Sequence, residues 1–437
     1  MRTLIHDETV GLLLASMSQN REDGLRASFL FGKPGAPQWQ RNMGIDLFYR
    51  PNKLTRAALY VRQNGPAYLK YLPIGDIWSM LQRFVVENFG LLANDVFLKQ
   101  FAGSYAEVVS DNSKAAFAEA LAISEIFRPK NDLTLFPLVA ARVGSDFDSD
   151  PFFLIKPSSL DATRLPQQIE QKHIKSDSYP PLVDWTGRRE VPGSWLGVRS
   201  PAVQASKKMK AAILGALALT PLPRHRYMFS GRAMFGGHCI LGDTTTVSFG
   251  QQGHTPPLMY DILVTVDDHE WLAILAKKLL ANERPVRRQV RALEYFYRAW
   301  ESEPSERFPI LCMALDGIFG DANHATQAVI DGIWRVIGPH LQYDRLRQLM
   351  DLRASVIHGG APDVYDSRKY GRYYDDFEAD PIHDMELVVA ECLRLQIFGD
   401  GLKQHADPNA QIIAEAQKLG RLPKNLARKT ILDEHAH

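Results

Sequence analysis

The chain has 437 residues, 45% of them hydrophobic and 23% charged, with a net charge of +1. The length exceeds one ordinary domain, so two or three are expected, and the composition is that of a soluble globular protein. The near-zero net charge excludes a globally basic nucleic-acid-coating surface, although it leaves room for a local basic cleft.

Three cysteines, Cys239, Cys312 and Cys392, are widely spaced and form no C-x-x-C pair. A disulfide scaffold and a structural zinc site are therefore not expected. Asp7 and Glu8 stand where a signal peptide needs an apolar core. The longest apolar run, near 211–219, falls far short of the roughly 20 residues that span a bilayer. A cytoplasmic protein without membrane association is expected.

Residues 1–160 read as an α+β region. Short β-prone runs at 27–31, 45–49 and 57–61 are bounded by Gly, Pro or Asn. Ile77, Met80, Leu81, Phe84 and Val85 mark a helix over 77–91. Ser113 is placed to cap a second helix running to Phe127. Strands follow at 133–143 and 152–156. Between them Asp146, Asp148 and Asp150 alternate, but the Gly and distal Glu of a calcium loop are absent, so a hairpin turn is expected.

Residues 161–266 read as an irregular segment followed by a helix and a β-hairpin, packed with the N-terminal region. The stretch 157–206 is rich in Pro, Ser and charge and reads as a long connection. An apolar helix covers 207–219, and paired strands cover 227–241 and 245–249. His238 beside Cys239 reads as a strand core residue next to a turn, rather than a thiol catalyst.

From residue 267 to 437 helix follows helix. Asp267 or Asp268 caps a helix through Leu280, and Pro285 suits the first turn of the next. In that helix Val286, Val290, Leu293, Tyr297 and Trp300 form a packing stripe. Arg287, Arg291, Glu294 and Arg298 share the opposite face, which is either solvated or a strip that tracks phosphates. Ser305 caps a further helix with Phe308, Leu311, Cys312, Leu315, Ile318 and Phe319 inside. Further helices are read at 327–337, 343–357, from Pro381 onward, and at 411–418. Short connections make the set a helical bundle.

The helix ending at His358 carries the chemistry. Leu346, Leu349, Met350, Val356 and Ile357 share one face, and Arg353 falls on that stripe, where a charge must be partnered. Asp316 is either that partner or an ordinary boundary carboxylate. His358 sits in the last turn before Gly359-Gly360, a common helix stop. Five residues separate Arg353 from His358, about 7.5 Å of rise and about 140° of rotation, so the two flank a shared edge. The helix-end dipole favours the protonated imidazole of His358, which suits proton transfer. A long loop over 359–379 follows, in which Tyr365, Arg368, Lys369, Tyr370 and Arg372 interleave rings and cations. That mixture suits unpaired bases and phosphates, or else a dimer arm.

Arg353-x4-His358 followed by Gly359-Gly360 on an amphipathic helix resembles the signature of the HEPN superfamily, most closely its Apea-like branch. The resemblance covers the C-terminal part only. It implies an all-α HEPN-like bundle that dimerises, and a metal-independent ribonuclease with Arg353 and His358 as the catalytic pair. Ser355 and Asp316 are then supporting residues, Ser355 because Ala354 occupies a position that is frequently polar in the family. Tyr365, Arg368, Lys369, Tyr370 and Arg372 would bind the RNA substrate. The resemblance also implies a toxin or anti-phage defence setting, with residues 1–266 as sensor or regulator and the trigger unspecified. The chain has no H-E-x-x-H, no plausible metal cluster and no G-x-S-x-G elbow, so no cofactor and no metal are expected. The alternative is a non-catalytic bundle that binds nucleotide, RNA or a partner protein, with Arg353 and His358 structural.

Overall fold

The computed structural model describes residues 2–30, 44–96, 99–160, 191–242, 245–321, 325–338, 341–357, 359, 363–423 and 430–433. Two compact units divide the chain: residues 1–131 with 200–205, and residues 132–199 with 206–437.

Unit 1 contains α1 (Leu4–Ser16), β1 (Met17–Ser18), β2 (Leu25–Leu30), β3 (Gly44–Tyr49), α2 (Pro51–Asn64), α3 (Ile74–Asn88) and α4 (Asp111–Ile123). The strands form an antiparallel sheet in the order β1-β3-β2. Helix α1 packs on α2 and α4. The core gathers Leu13, Leu14, Tyr49, Leu69, Leu81, Phe84 and Phe117.

Residues 57–61, expected as a strand, lie inside α2. Leu54, Ala57, Ala58 and Val61 are all fully buried there, a spacing of three to four that forms one helical stripe and overrides the local β preference. Helix α3 follows the expectation for 77–91, continuing into a short 3₁₀ turn at Phe89–Leu91. Ser110, rather than Ser113, caps α4: its hydroxyl accepts from the Ser113 backbone N–H.

Unit 2 begins with β4 (Asp132–Leu138), β5 (Ala141–Val143), β6 (Phe147–Asp148), β7 (Phe152–Ile155) and β8 (Ser194–Ser200). Helix α5 (Val203–Leu217), from Ser206 onward, leads to β9 (Gly236–Leu241), β10 (Thr245–Gly250) and β11 (Ile262–Val264). Six strands form one sheet in the order β10-β9-β4-β8-β7-β6, while β5 and β11 pair separately in parallel.

The strands at 133–143 and 152–156 do not form the expected hairpin: β4 pairs with β9 and β5 with β11. The stretch 144–150 contains β6, which is antiparallel to β7, and Asp146 Oδ1 accepts the Lys156 backbone N–H at 2.9 Å. Of the paired strands expected at 227–241 and 245–249, the first starts only at Gly236; β9 and β10 then form the hairpin, with Cys239 opposite Val247. Cys239 is buried in the sheet core.

The last part of the 157–206 stretch is not an irregular connection. Ser194–Ser200 is β8, near the middle of the six-stranded sheet. Trp195, Leu196 and Val198 are fully buried; a strand covered on both faces shows no polar alternation. Residues 161–190, including Tyr179-Pro180-Pro181, lie outside the described residues.

The helical run comprises α6 (His269–Leu280), α7 (Arg284–Trp300), α8 (Pro304–Phe319), α9 (Ala325–Ile337), α10 (Tyr343–Ile357), α11 (Arg368–Phe377), α12 (Pro381–Leu393) and α13 (Ala410–Lys418). Pro285 occupies the first turn of α7, where its missing N–H costs nothing. Glu303, not Ser305, stands at the cap position of α8; Ser305 lies in its first turn. Helix α8 is central and touches α7, α9, α10 and α12.

A buried charge cluster fastens this layer to the end of α5. Arg226, fully buried, donates from Nη1 to Glu386 Oε1 at 3.1 Å and from Nε to the Ala218 carbonyl at 2.7 Å. Trp300 Nε1 in turn donates to the Arg226 carbonyl at 2.9 Å. The chain is thus mixed, with its sheets in the first part and a helical layer in the second. No described helix is long and apolar enough to cross a membrane.

Candidate functional site

Helix α10 places Leu346, Leu349, Met350 and Leu352 in the core. Its last turn is more open than the apolar spacing implies: Val356 is half-buried and Ile357 is 40% exposed. Gly359 adopts φ +75°, the left-handed conformation that ends helices at low steric cost. His358 lies outside the described residues.

Arg353 is 4% exposed. Its Nη2 donates to Asp316 Oδ1 at 2.5 Å and its Nη1 to Thr326 Oγ1 at 3.4 Å. Asp316 is therefore the partner that the apolar stripe demanded. Its carboxylate belongs to the last turn of α8, and Arg288 on α7 holds that turn. Arg288 Nε donates to the Gly317 carbonyl at 2.6 Å, and its Nη2 donates to the carbonyls of Asp316 and Gly320 at 3.1 and 2.7 Å. The guanidinium thus satisfies the Gly317 and Gly320 carbonyls at the helix end and shares the Asp316 carbonyl with the Gly320 N–H. Cys312, one turn before Asp316, is fully enclosed, and burial pushes its thiol above the ordinary range despite the nearby Arg353.

One donor of Arg353 is left over. Its Nε is buried and has no hydrogen-bond partner among the described residues. An orphaned buried donor costs about 1–3 kcal/mol. Ser355 is half-buried on α10.

The expected loop over 359–379 is largely a helix. Ser367 caps α11 by accepting the Lys369 backbone N–H, and α11 packs against α10. Its apolar anchor is Tyr373, fully buried, and the local pattern was hidden by the surrounding charges. The five residues expected to bind substrate do not converge. Arg368, Lys369 and Arg372 are exposed. Lys369 Nζ donates to the Asp351 carbonyl at 2.9 Å, and Arg372 Nε lies 3.7 Å from Asp376. Tyr365 and Tyr370 do meet, with ring centroids 5.0 Å apart in an edge contact. Tyr370 also donates to Asp380 Oδ1 at 3.3 Å, and burial together with that carboxylate pushes its phenol up.

Three groupings were not anticipated from the sequence. The first is Arg345 with Asp384 and Tyr373, all buried; Tyr373 donates to Asp384 Oδ2 at 2.6 Å. The spacing Arg345, Leu349, Leu352 places Arg345 beside the stripe, and that was the available signal.

The second is a cleft of about 1310 Å³ in unit 2 that includes Asp268 and His405 in its lining. His405 Nε2 is 3.0 Å from Asp268 Oδ1, which also accepts from Trp271 Nε1 at 2.9 Å. The third surrounds Lys210. Its Nζ is 3.1 Å from His254 Nδ1, a residue 44 positions away in sequence with no spacing to link them.

No protein family, curated protein or solved structure among known proteins matches the chain.

Proposed function

We propose that the C-terminal helical layer is a HEPN-like bundle that cleaves RNA without a metal, with the preceding residues acting as sensor or regulator in a toxin or anti-phage setting. Metal-free cleavage needs removal of the proton of the 2′-hydroxyl, stabilisation of the crowded phosphate and protonation of the leaving oxygen. His358, next in sequence after α10, supplies the proton transfers. Arg353 stabilises the charge that develops on phosphoryl oxygens. A homodimer through the bundle would bring two such pairs to one cleft.

The orphaned Nε of Arg353 carries this reading. Its Nη2 is clamped by Asp316, so the guanidinium keeps a fixed orientation while one buried donor remains for an anionic oxygen. The test is RNA cleavage by the purified full chain in EDTA. Loss of cleavage in both Arg353→Ala and His358→Ala supports the reading, and unchanged cleavage in both removes these residues from the mechanism.

A second reading has its own observation. Arg353 is 4% exposed and ion-paired, which also suits a non-catalytic bundle that binds nucleotide, RNA or a partner protein. In that case the wild-type chain shows no cleavage, and Arg353→Ala lowers the melting temperature by several degrees.

A further inference from the structure

Lys210 lies on α5 and lines a cavity of about 690 Å³ together with His254, Tyr297 and Glu301. Its ammonium position is framed by two ring faces: Nζ is 5.4 Å from the centroid of Phe136 and 5.5 Å from that of Tyr297. His254 Nδ1 stands 3.1 Å away. The opposite ring nitrogen, Nε2, is 2.6 Å from the Gly237 carbonyl. A carbonyl only accepts, so Nε2 carries the hydrogen and Nδ1 presents a lone pair to the lysine. Tyr297 donates to the His254 carbonyl at 2.8 Å, which fixes the backbone that carries the imidazole. The amine is therefore held at one position with an N–H directed to His254, at the wall of an open cavity.

Enclosure favours the uncharged amine. Burial lowers Lys210 to about 8, against the opposing pull of the Glu301 carboxylate and with a small push from Lys207. At neutral pH roughly a tenth of such an amine is unprotonated, against well under a thousandth for a free lysine. A desolvated lysine in a partly aromatic cavity is the arrangement that makes a nucleophile for carbonyl carbon. Burial raises Glu301, and it stands in the lining of the same cavity.

We propose that Lys210 forms a reversible iminium with a small neutral hydroxyaldehyde or hydroxyketone bound in this cavity. The lining decides the charge of the ligand. Glu301, Glu303 and Glu306 outnumber the cations Arg298 and Lys210, and Ser302 and Gln252 add neutral polar groups. Carboxylates accept from hydroxyl donors and repel an anionic substrate. The amine nitrogen adds to the carbonyl carbon, and a proton moves from nitrogen to oxygen to give the carbinolamine. The hydroxyl then leaves as water with a proton drawn from the solvent that the open cavity admits, and the carbon–nitrogen double bond forms. No electrons are gained or lost, and hydrolysis runs the same steps backward. His254 is a positioning residue, since it stays neutral and holds the amine.

The test uses the full chain with glyceraldehyde and cyanoborohydride at pH 7, which reduces any iminium to a stable secondary amine, followed by peptide mass mapping. Lys210 is expected to label at least about 10-fold faster than the exposed Lys277 and Lys403, given the larger neutral fraction of a depressed lysine. Labelling of Lys210 at or below the rate of those two overturns the proposal. In a parallel reaction glyoxylate, an anionic aldehyde, is expected to label Lys210 more slowly than glyceraldehyde. A preference for glyoxylate overturns the assignment of a neutral ligand. The wild-type chain decides both outcomes, so no variant has to fold, and neither depends on cleavage of RNA.

Discussion

Arg345 and Asp384 lie 39 residues apart in sequence, and the Nε of the first donates to Oδ2 of the second at 2.7 Å inside the helical layer. Tyr373 completes the group by donating to the same carboxylate oxygen. The three side chains join α10, α11 and α12. Both charges are more than nine-tenths enclosed, so each relies on the other in place of water. Removing one member of a buried pair leaves the other uncompensated. Asp384→Ala is therefore expected to cost about 3–5 kcal/mol, read as a lower urea midpoint with an unchanged slope. A midpoint within error of the wild type would mean that water reaches the pair.

The Arg353–Asp316 pair is less enclosed, because the aspartate side chain is 31% exposed. Asp316→Ala should fall between the roughly 1 kcal/mol of an exposed pair and the roughly 3–5 kcal/mol of a buried one. Arg353→Lys separates the two functional readings. Lysine keeps the charge and loses the planar fork. If Arg353 stabilises phosphate, cleavage falls by about 10²-fold or more while the melting temperature moves little. If the arginine is structural, stability moves and no cleavage is there to lose.

Helix α5 crosses α7 at Gly215. A Cβ built there would collide with the Leu293 carbonyl oxygen, which is backbone and cannot rotate away. Gly215→Ala should therefore force the two helices apart and cost about 1–3 kcal/mol, the usual range for overpacking, despite alanine's better helix propensity. Thermal melting of the full chain measures it. A stabilised variant would show that the crossing is loose.

His254 gives a pH signature. Burial, reinforced by Lys210, lowers it from 6.5 to about 3. The unfolded chain then takes up a proton below pH 6.5 that the folded chain refuses. Stability from this group is complete above pH 6.5 and is lost as pH falls toward 3, at about 1.4 kcal/mol per pH unit. Lys210, Lys207 and His238 add charge of the same sign, so their presence deepens the loss. In His254→Gln this part of the acid sensitivity should vanish. Denaturation midpoints from pH 7 to 4 in the two proteins provide the comparison, and parallel curves would rule the histidine out as the source.

The helical layer was legible because its signals are local. Pro285, Asp380-Pro381 and the stripe Leu346, Leu349, Met350 each fix an element from neighbours within a few turns, and α7, α10 and α12 appear where those residues place them. Arg353 was legible for the same reason: seven residues after Leu346 it had to face inward, and it does. Strand β8 was not, because its burial is imposed by strands far away in sequence. Tyr60 and the β-branched Val61 favour a strand locally, yet Ala57 and Ala58 favour a helix and packing on α1 completes it. Lys210 and His254 meet only through tertiary structure. A lysine at 210 reads like any other until its neighbours are placed.

The order of strands in the large sheet sets a schedule for folding. Strand β4 lies between β8 and β9, and both of those neighbours come later in the chain. A ribosome adding roughly 5–20 residues per second leaves β4 with neither partner for several seconds. During that time it presents Leu133, Leu135, Phe136 and Leu138, all buried in the finished fold. Such an open edge is where strands of separate chains pair wrongly. The yield of this protein should thus depend more on temperature and chaperone supply during synthesis than on the stability of the completed fold.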